Sequence, residues 1–342
     1  MSAFNTLFDS VTKGMMALFG PWSEHSEPVS WSIDGPIDLL RVRAVHGSIV
    51  VHCGDHDGVL VRALKTVHGP TDQLAEWFTG RVDARISHHA GSVRAQTLYP
   101  RPPLGCSVFV RYEIFLPWAV DVDLFTQSGG IVVSGVEGAV QAETRTGNIE
   151  LADTSGPATA HTASGHITAS GVDGALQVDN GRGRVSLKGC SGRAQIRTTR
   201  GDIGIDGFDG AVRARSYQGA IRLDGGTGGA ELETDSGDVL ATMTNLVSPS
   251  SFLARTGSVD VRVAALRGYL EAESSDGEVR VRLPSDASGM LDAGTDDGTV
   301  HCALPVKTSQ RTASLLVGAL GTGYGSLVKL RSFAGDIHIT QE

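Results

Sequence analysis

The chain has 342 residues, of which 44 are glycine and 20% are charged. The formal net charge of −9 and the absence of any Lys/Arg run longer than two residues disfavour nucleic-acid binding. The four cysteines lie far apart without paired spacing, and no stretch is long enough to span a bilayer.

Residues 1–20 predict an amphipathic helix, which Gly20 and Pro21 end. This helix either lies on a membrane surface or partner protein, or caps the open end of the following domain. The start lacks the basic, apolar and small-residue features of an export signal, so we expect a cytoplasmic protein, free or peripheral at the membrane. One helical face, the expected contact surface, carries Phe4, Leu7, Phe8, Val11, Met15, Leu18 and Phe19.

Residues 21–28 are predicted to be a linker, and residues 29–127 a β-rich N-terminal cap region. Short runs of alternating polarity indicate strands there, with a short helix near residues 72–78. Such a region would cover the exposed edge of the first repeat, which would otherwise invite end-to-end pairing. The predicted strands are residues 40–45, 48–52, 59–64, 82–86, 92–98 and 108–116.

From residue 128 onward a glycine recurs every 18 residues, followed two positions later by Ile or Val. A second glycine series runs nine residues out of phase. Nine residues accommodate about five in a strand and four in a turn, so two short strands make one coil of a β-solenoid. The first series is Gly129, Gly147, Gly165, Gly183, Gly201, Gly219 and Gly237.

The residues within each half-repeat alternate in polarity. Ile149, Leu151 and Ile167 are expected to point inward, whereas Glu150 and Thr168 are expected to point outward. The opposite wall repeats the pattern with smaller residues, which predicts a thin core with little room for an internal ligand.

A hydroxyl or amide residue stands three positions before each repeat glycine. We interpret this ladder as a structural corner whose side chains satisfy turn carbonyls, in preference to an ice-binding or ligand-binding face. Its members are Thr126, Thr144, Thr162, Asn180, Thr198, Ser216, Thr234, Ser274, Thr295 and Ser332.

After residue 240 the coils lengthen. Gly257, Gly277 and Gly298 follow at intervals of 20 or 21 residues, and the last turn comes at Gly335 after a longer break. The region from 128 to 342 is therefore predicted to hold about eleven coils.

Two groups of residues have metal-ligand types. The first group is His52, Cys53, Asp55, His56 and Asp57. Predicted strands flank it on both sides, so residues 54–58 are most simply a hairpin loop, and the adjacent His52 and Cys53 would face opposite ways on a strand. The turns at residues 134–138, 170–174 and 206–210 do not sustain the acidic position of a calcium-binding β-roll. We therefore expect no metal and no cofactor. Cys190 occupies an apolar repeat position and is expected to be a core residue.

A carbohydrate-active β-helix enzyme would need paired carboxylates in a groove. Its candidate residues here are Asp202, Asp206, Asp209, Arg200 and Arg222. Coils of 18 residues leave no loop to build groove walls, and no nucleophile stands in a recognisable elbow, so we expect no enzyme activity and identify no small-molecule substrate. Arg197, Arg213, Arg215 and Arg222 are either a basic patch or, with Glu143, Asp179, Glu231 and Glu233, part of a mixed wall.

The segments 144–151, 162–169 and 234–241 resemble the bacterial putative-adhesin family, a domain family of unknown function. The likeness extends to Phe115-Leu116-Pro117 and to the closing Gly335-Asp336-Ile337. It covers roughly residues 30–342 and implies an all-β solenoid fold and adhesion, without an assigned activity.

These observations predict a non-catalytic solenoid that acts as a scaffold or interaction module, with a protein partner or a further copy of itself. The alternative is a filament-forming protein, similar to bactofilins, in which coils stack end to end.

Overall fold

The computed structural model describes residues 22–342, which form two compact units divided between Val136 and Glu137. Both are built almost entirely of β-strands, which confirms the predicted all-β solenoid class. The predicted helix of residues 1–20, with its apolar side chains from Phe4 to Phe19, lies outside the described residues. The boundaries at residues 20 and 127 stay predictions, whereas residues 23–28 of the predicted linker belong to the first strand, Ser23–Asp34, which pairs along its whole length with a later strand.

Unit 1, described from residue 22, holds nine strands and one helix, α1 (Asp72–Thr79). The strands are β1 (Ser23–Asp34), β2 (Leu39–His46), β3 (Ile49–Gly54), β4 (Gly58–Gly69), β5 (Asp83–His89), β6 (Ser92–Leu98), β7 (Ser107–Pro117), β8 (Asp121–Ser128) and β9 (Ile131–Ser134).

Strands β2 and β3 form a coil inside the region predicted as an irregular cap. β2 pairs in parallel with β8 on one side and with β6 on the other, while β3 pairs in parallel with β9 and β7. Antiparallel strands then follow: β5 pairs with β6, β4 pairs with β7, and β1 pairs with β4. Unit 1 therefore changes from parallel coils to antiparallel strands.

The short helix predicted near residues 72–78 is confirmed as α1. The Thr71 hydroxyl caps it by accepting a hydrogen bond from the Leu74 amide at 3.2 Å, and Asp72 places a negative charge in the first turn. Ala75 and Phe78 are its buried apolar residues, and α1 packs against β1 and β4.

Unit 2 contains eighteen strands. Those of the regular coils are β10 (Val140–Thr146), β11 (Ile149–Thr154), β12 (Ala158–Ser164), β13 (Ile167–Arg182), β14 (Val185–Arg200), β15 (Ile203–Gln218), β16 (Ile221–Ser236), β17 (Val239–Leu246), β18 (Ser250–Thr256), β19 (Val259–Val263), β20 (Tyr269–Asp276) and β21 (Val279–Leu283). The last six are β22 (Gly289–Asp297), β23 (Val300–Cys302), β24 (Val306–Arg311), β25 (Leu315–Leu320), β26 (Ser326–Ala334) and β27 (Ile337–Gln341).

Successive coils of β13 to β16 pair in parallel with a register of exactly one 18-residue repeat. The repeat glycine marks the place where neighbouring coils approach most closely. At Gly183, φ is +129° and an added Cβ would lie 2.1 Å from the Gly165 carbonyl oxygen. Only glycine fits this position, which is the physical reason for the period.

The polarity alternation places the core as predicted. Ile149, Leu151 and Ile167 are buried, whereas Glu150 is exposed. Cys190 is buried as a core residue, as its repeat position predicted.

The ladder residues that precede the repeat glycines are buried, which confirms the structural interpretation. The Thr162 hydroxyl donates to the Gly147 carbonyl at 3.1 Å, and the Thr234 hydroxyl donates to the Gly219 carbonyl at 2.9 Å. These two side chains thereby satisfy the carbonyl that the close-packed glycine presents in the preceding coil, whereas the buried Thr198 hydroxyl has no hydrogen-bond partner among the described residues.

The last coils do not stack in chain order. β26 pairs in parallel with both β20 and β22, and β27 pairs with both β21 and β23. The coil of Gly335 therefore lies between the coils of Gly277 and Gly298, whereas the sequence predicted a simple succession. The antiparallel strands β25 and β24 then continue the sheet beyond β22.

Candidate binding face

The outer wall of unit 2 carries ion pairs between neighbouring coils. Arg213 contacts Glu231 at 2.8 Å, and Arg215 contacts Glu233 at 3.3 Å. Arg197 lies 3.7 Å from Asp179 of the preceding coil. This wall is therefore the mixed one that the sequence analysis offered as the alternative to a basic patch.

The carboxylates considered for an enzyme do not meet in a groove. The Asp202 carboxylate accepts a hydrogen bond from the Ala220 amide at 3.1 Å and lies 3.7 Å from Arg184. Asp206 and Asp209 are exposed on the same strand, and Arg222 pairs with Asp224 at 3.1 Å. Asp202 therefore serves the turn of the next coil.

The metal-type residues of unit 1 lie around an aromatic ring. The His52 ring stacks on Phe115 at 5.4 Å between centroids, and the His56 ring approaches the same ring edge-on at 6.0 Å. The Arg62 guanidinium lies 5.3 Å from the centroid. Within residues 22–342 no group of three or more His, Cys, Asp and Glu side chains could hold a metal ion.

The most distinctive surface of unit 2 is a row of apolar side chains on the outside of its last coils. Tyr269 is in direct register with Leu327, and Leu327 is in direct register with Met290. Leu327 and Met290 are 43% and 42% exposed although they are large and apolar. We call Tyr269, Leu327 and Met290 the apolar row. Three such neighbours on adjacent strands form a continuous patch, as is typical of an interaction surface.

Ion pairs border the apolar row two to four residues further along the same strands. Lys329 contacts Glu271 at 2.7 Å, and Arg331 contacts Asp292 at 2.6 Å. The pKa of Glu271 lies below its usual range, mainly because Lys329 donates a hydrogen bond to its carboxylate. The same bond raises the pKa of Lys329. The Tyr269 hydroxyl also bonds to Glu271. These contacts fix the polar border of the row in one arrangement.

An open groove of about 410 Å³ lies beyond this border, on the outer side of the same three strands. Glu273, Arg331 and Phe333 line it from β20 and β26, and Phe333 is largely exposed. The outer face of the last coils thus combines an apolar centre, a polar border and a shallow depression.

Sequence reasoning did not find the apolar row. Tyr269, Met290 and Leu327 stand at outward positions, but their registry depends on the insertion of β26 between β20 and β22. The available signal was local: Met290 and Leu327 each occupy the polar phase of an alternating strand. That signal marks single residues and cannot show that they are neighbours.

Parallel coils with one glycine per corner and a patterned outer wall define a β-solenoid repeat protein. Two overlapping segments, residues 172–266 and 254–340, match the Toastrack DUF4097 family. Both matched segments lie within unit 2, and they confirm the family resemblance drawn from the glycine motifs. No protein with a curated description matches the chain.

Several solved structures align along most of the chain. A putative cell adhesion protein from Clostridium sporogenes is 10% identical over 93% of this chain and 100% of its own, with a TM-score of 0.20. A putative adhesin from Parabacteroides distasonis is 12% identical over 94% and 97%, with a TM-score of 0.31. One from Parabacteroides merdae is 10% identical over 93% and 96%, with a TM-score of 0.29.

Proposed function

We propose that this protein is a non-catalytic, adhesin-like interaction module that binds a protein partner through the apolar row. The observation that carries the proposal is the direct register of Tyr269, Leu327 and Met290 on adjacent strands. Their burial against a partner would contribute about 25 cal/mol per Å² of apolar area removed from water.

The chemistry of the border points to a protein partner. Apolar side chains at the centre with charged pairs around them match the usual anatomy of protein interfaces, in which a dry core is surrounded by a polar rim. The border pairs Glu271 with Lys329 and Asp292 with Arg331 have balanced charge. The face therefore favours a partner of mixed polarity over a polyanion.

The proposal is tested by Leu327→Asp, with Leu240→Asp as the matched control. Leu240 is 40% exposed on another part of the outer wall of unit 2, so both changes bury no charge and cost little stability. Each protein is used to retain binding partners from the native host. We expect the wild-type protein and Leu240→Asp to retain the same proteins, and Leu327→Asp to lose them. Equal retention by the two variants would reject the apolar row as the binding face.

The predicted helix of residues 1–20 extends this proposal to a membrane or partner contact through Phe4, Leu7, Phe8, Val11, Met15, Leu18 and Phe19. Its single cation, Lys13, predicts weak attraction to anionic lipid, so apolar burial would dominate membrane binding. Co-sedimentation with neutral liposomes is compared between the full chain and a chain that begins at residue 21. This comparison distinguishes contact with a membrane from contact with a partner protein.

A cytoplasmic location remains part of the proposal. No helix among residues 22–342 is long and apolar enough to cross a membrane.

The filament alternative receives no support from the outermost strand of unit 2. Within the described part of the chain β24 pairs with β25 only, and it carries Lys307 and Arg311 on an exposed edge. Charged residues on an edge strand oppose edge-to-edge pairing with another copy.

A further inference from the structure

The corner of the coils at Gly183 and Gly201 concentrates positive charge. Arg182 and Arg200 precede these glycines and are in direct register on the adjacent strands β13 and β14. Both side chains are exposed. Like charges directly opposite one another on neighbouring strands destabilise a sheet, so this pair lowers the stability of the coils locally.

No interaction among the described residues offsets the repulsion between Arg182 and Arg200. Among residues 22–342, neither guanidinium has an ion pair or a hydrogen bond, whereas Arg213, Arg215 and Arg331 are each paired with a carboxylate of a neighbouring coil. On its other side Arg200 is in register with the neutral Gln218.

Two further groups add to the positive charge of this corner. Arg184 follows Gly183, and its amide donates to His166 Nδ1 at 3.0 Å. This bond places the imidazole proton on Nε2, the outward nitrogen of an exposed ring. The Asp202 carboxylate accepts a hydrogen bond from the Ala220 amide and lies 3.7 Å from Arg184. The exposed residues directly next to the glycines of this corner therefore include three arginines, one histidine and one aspartate.

We propose that Arg182 and Arg200 form a binding site for a single phosphoryl group. Neighbouring strands are about 4.8 Å apart, so two guanidinium forks from these positions can close on one tetrahedral oxyanion, with Arg184 and His166 as additional donors. The bound anion would replace the repulsion between the two arginines by attraction. This corner is distinct from the apolar row, and the inference does not depend on the proposed function.

The phosphoryl group reaches this site either on a soluble phosphate compound or on a lipid headgroup. Thermal unfolding of the full chain is measured in inorganic phosphate and in chloride at equal ionic strength. Ligand that binds only the folded state raises the midpoint. Binding to phosphatidylcholine vesicles with and without phosphatidic acid is measured in parallel.

The decisive variant is the double change Arg182→Gln and Arg200→Gln, and the matched control is Arg193→Gln. Arg193 is equally exposed on β14, but its register neighbours are Ala175 and Ala211 instead of an arginine. We expect the double variant to bind phosphate, or phosphatidic acid vesicles, at least about tenfold more weakly, while Arg193→Gln binds like the wild type. Without phosphate at low salt, the double variant should unfold at the same or a higher temperature, because the like-charge pair has been removed.

Each outcome decides the question. A phosphate-specific shift that the double variant loses assigns the site to a soluble phosphate compound, and arginine-dependent binding to phosphatidic acid vesicles alone assigns it to a lipid. Equal effects of phosphate and chloride together with no arginine-dependent vesicle binding overturn the proposal. An equal loss in Arg193→Gln overturns it as well, since it would show a general charge effect.

Discussion

At the scale of single residues, the 18-residue period follows from one close contact that is repeated at every coil. The repeat glycine leaves room for the carbonyl of the preceding coil, and the ladder hydroxyl three positions earlier donates to such a carbonyl. These two requirements could be predicted from sequence because both recur at fixed spacing. Their partners could not be assigned from spacing alone, since each bond joins residues in different coils.

The contact at the repeat glycine predicts unequal effects for two glycine substitutions. Gly183→Ala places a Cβ 2.1 Å from the Gly165 carbonyl oxygen, whereas Gly189→Ala meets no atom within 4 Å. Gly189 has a φ of +55°, so its substitution should cost about 1 kcal/mol from backbone strain alone. Gly183→Ala should cost at least about twice as much in urea unfolding. Equal costs would show that close approach does not set the period.

The Asp123 carboxylate predicts a pH-dependent stability in unit 1. It accepts hydrogen bonds from Arg41 at 2.7 Å and from Arg43 at 2.7 and 2.8 Å, and its side chain is only 16% exposed. Burial alone would raise the pKa of Asp123, but the bonds from Arg43 and Arg41 outweigh burial and hold this pKa below its usual range. A lowered folded-state pKa stabilises the protein above the unfolded value of about 3.9.

We therefore expect Asp123→Asn to lower the free energy of unfolding by about 1 kcal/mol at pH 7. The difference from the wild type should shrink as the pH falls below about 4, because Asp123 of the unfolded chain takes up a proton there while the folded carboxylate stays ionised until its lower pKa is reached. Chemical unfolding between pH 3 and pH 7 measures this. A difference that stays constant over the whole range would contradict the assignment.

At the scale of elements, local periodicity in the sequence predicted the regular coils. It did not predict the first coil or the order of the last coils. The coil of β2 and β3 carries the same Gly-x-Ile signal at Gly47 and Ile49, but as a single repeat, so it could not establish a period. The place of β26 between β20 and β22 depends on pairing residues 58 apart in sequence, such as Glu271 and Lys329. No spacing rule predicts that order, which also assembles the apolar row.

The coil order predicts which engineered cysteines can be joined. Glu271 is in direct register with Lys329, and Lys329 with Asp292, so Glu271 and Asp292 are one strand further apart. Adjacent strands bring Cα atoms within disulfide range, whereas a separation of two strands, about 9.6 Å, does not.

The variant that combines Glu271→Cys with Lys329→Cys should therefore form a disulfide under mild oxidation, detected by peptide mass spectrometry. The variant that combines Glu271→Cys with Asp292→Cys should not. The reverse result would restore the simple succession of coils that the sequence predicted.

At the scale of the whole chain, chemistry-bearing residues of the repeat mostly serve the fold, and the outer surface of the last coils is the binding face that we propose. Asp202 supports a turn, Cys190 fills the core, and most of the ladder hydroxyls satisfy carbonyls. The general class of the protein could therefore be predicted from sequence. The binding face could not, because it is made of residues brought together by the order of the coils.

Site-specific photo-crosslinking tests this binding face most directly. A photoreactive amino acid is placed at position 327, at position 290 and, as a control, at position 240, where the side chain is equally exposed and apolar. In the native host we expect the same protein to be joined at positions 327 and 290 and not at 240. Absence of an adduct at 327 and 290, or the same adducts at all three positions, would contradict the account.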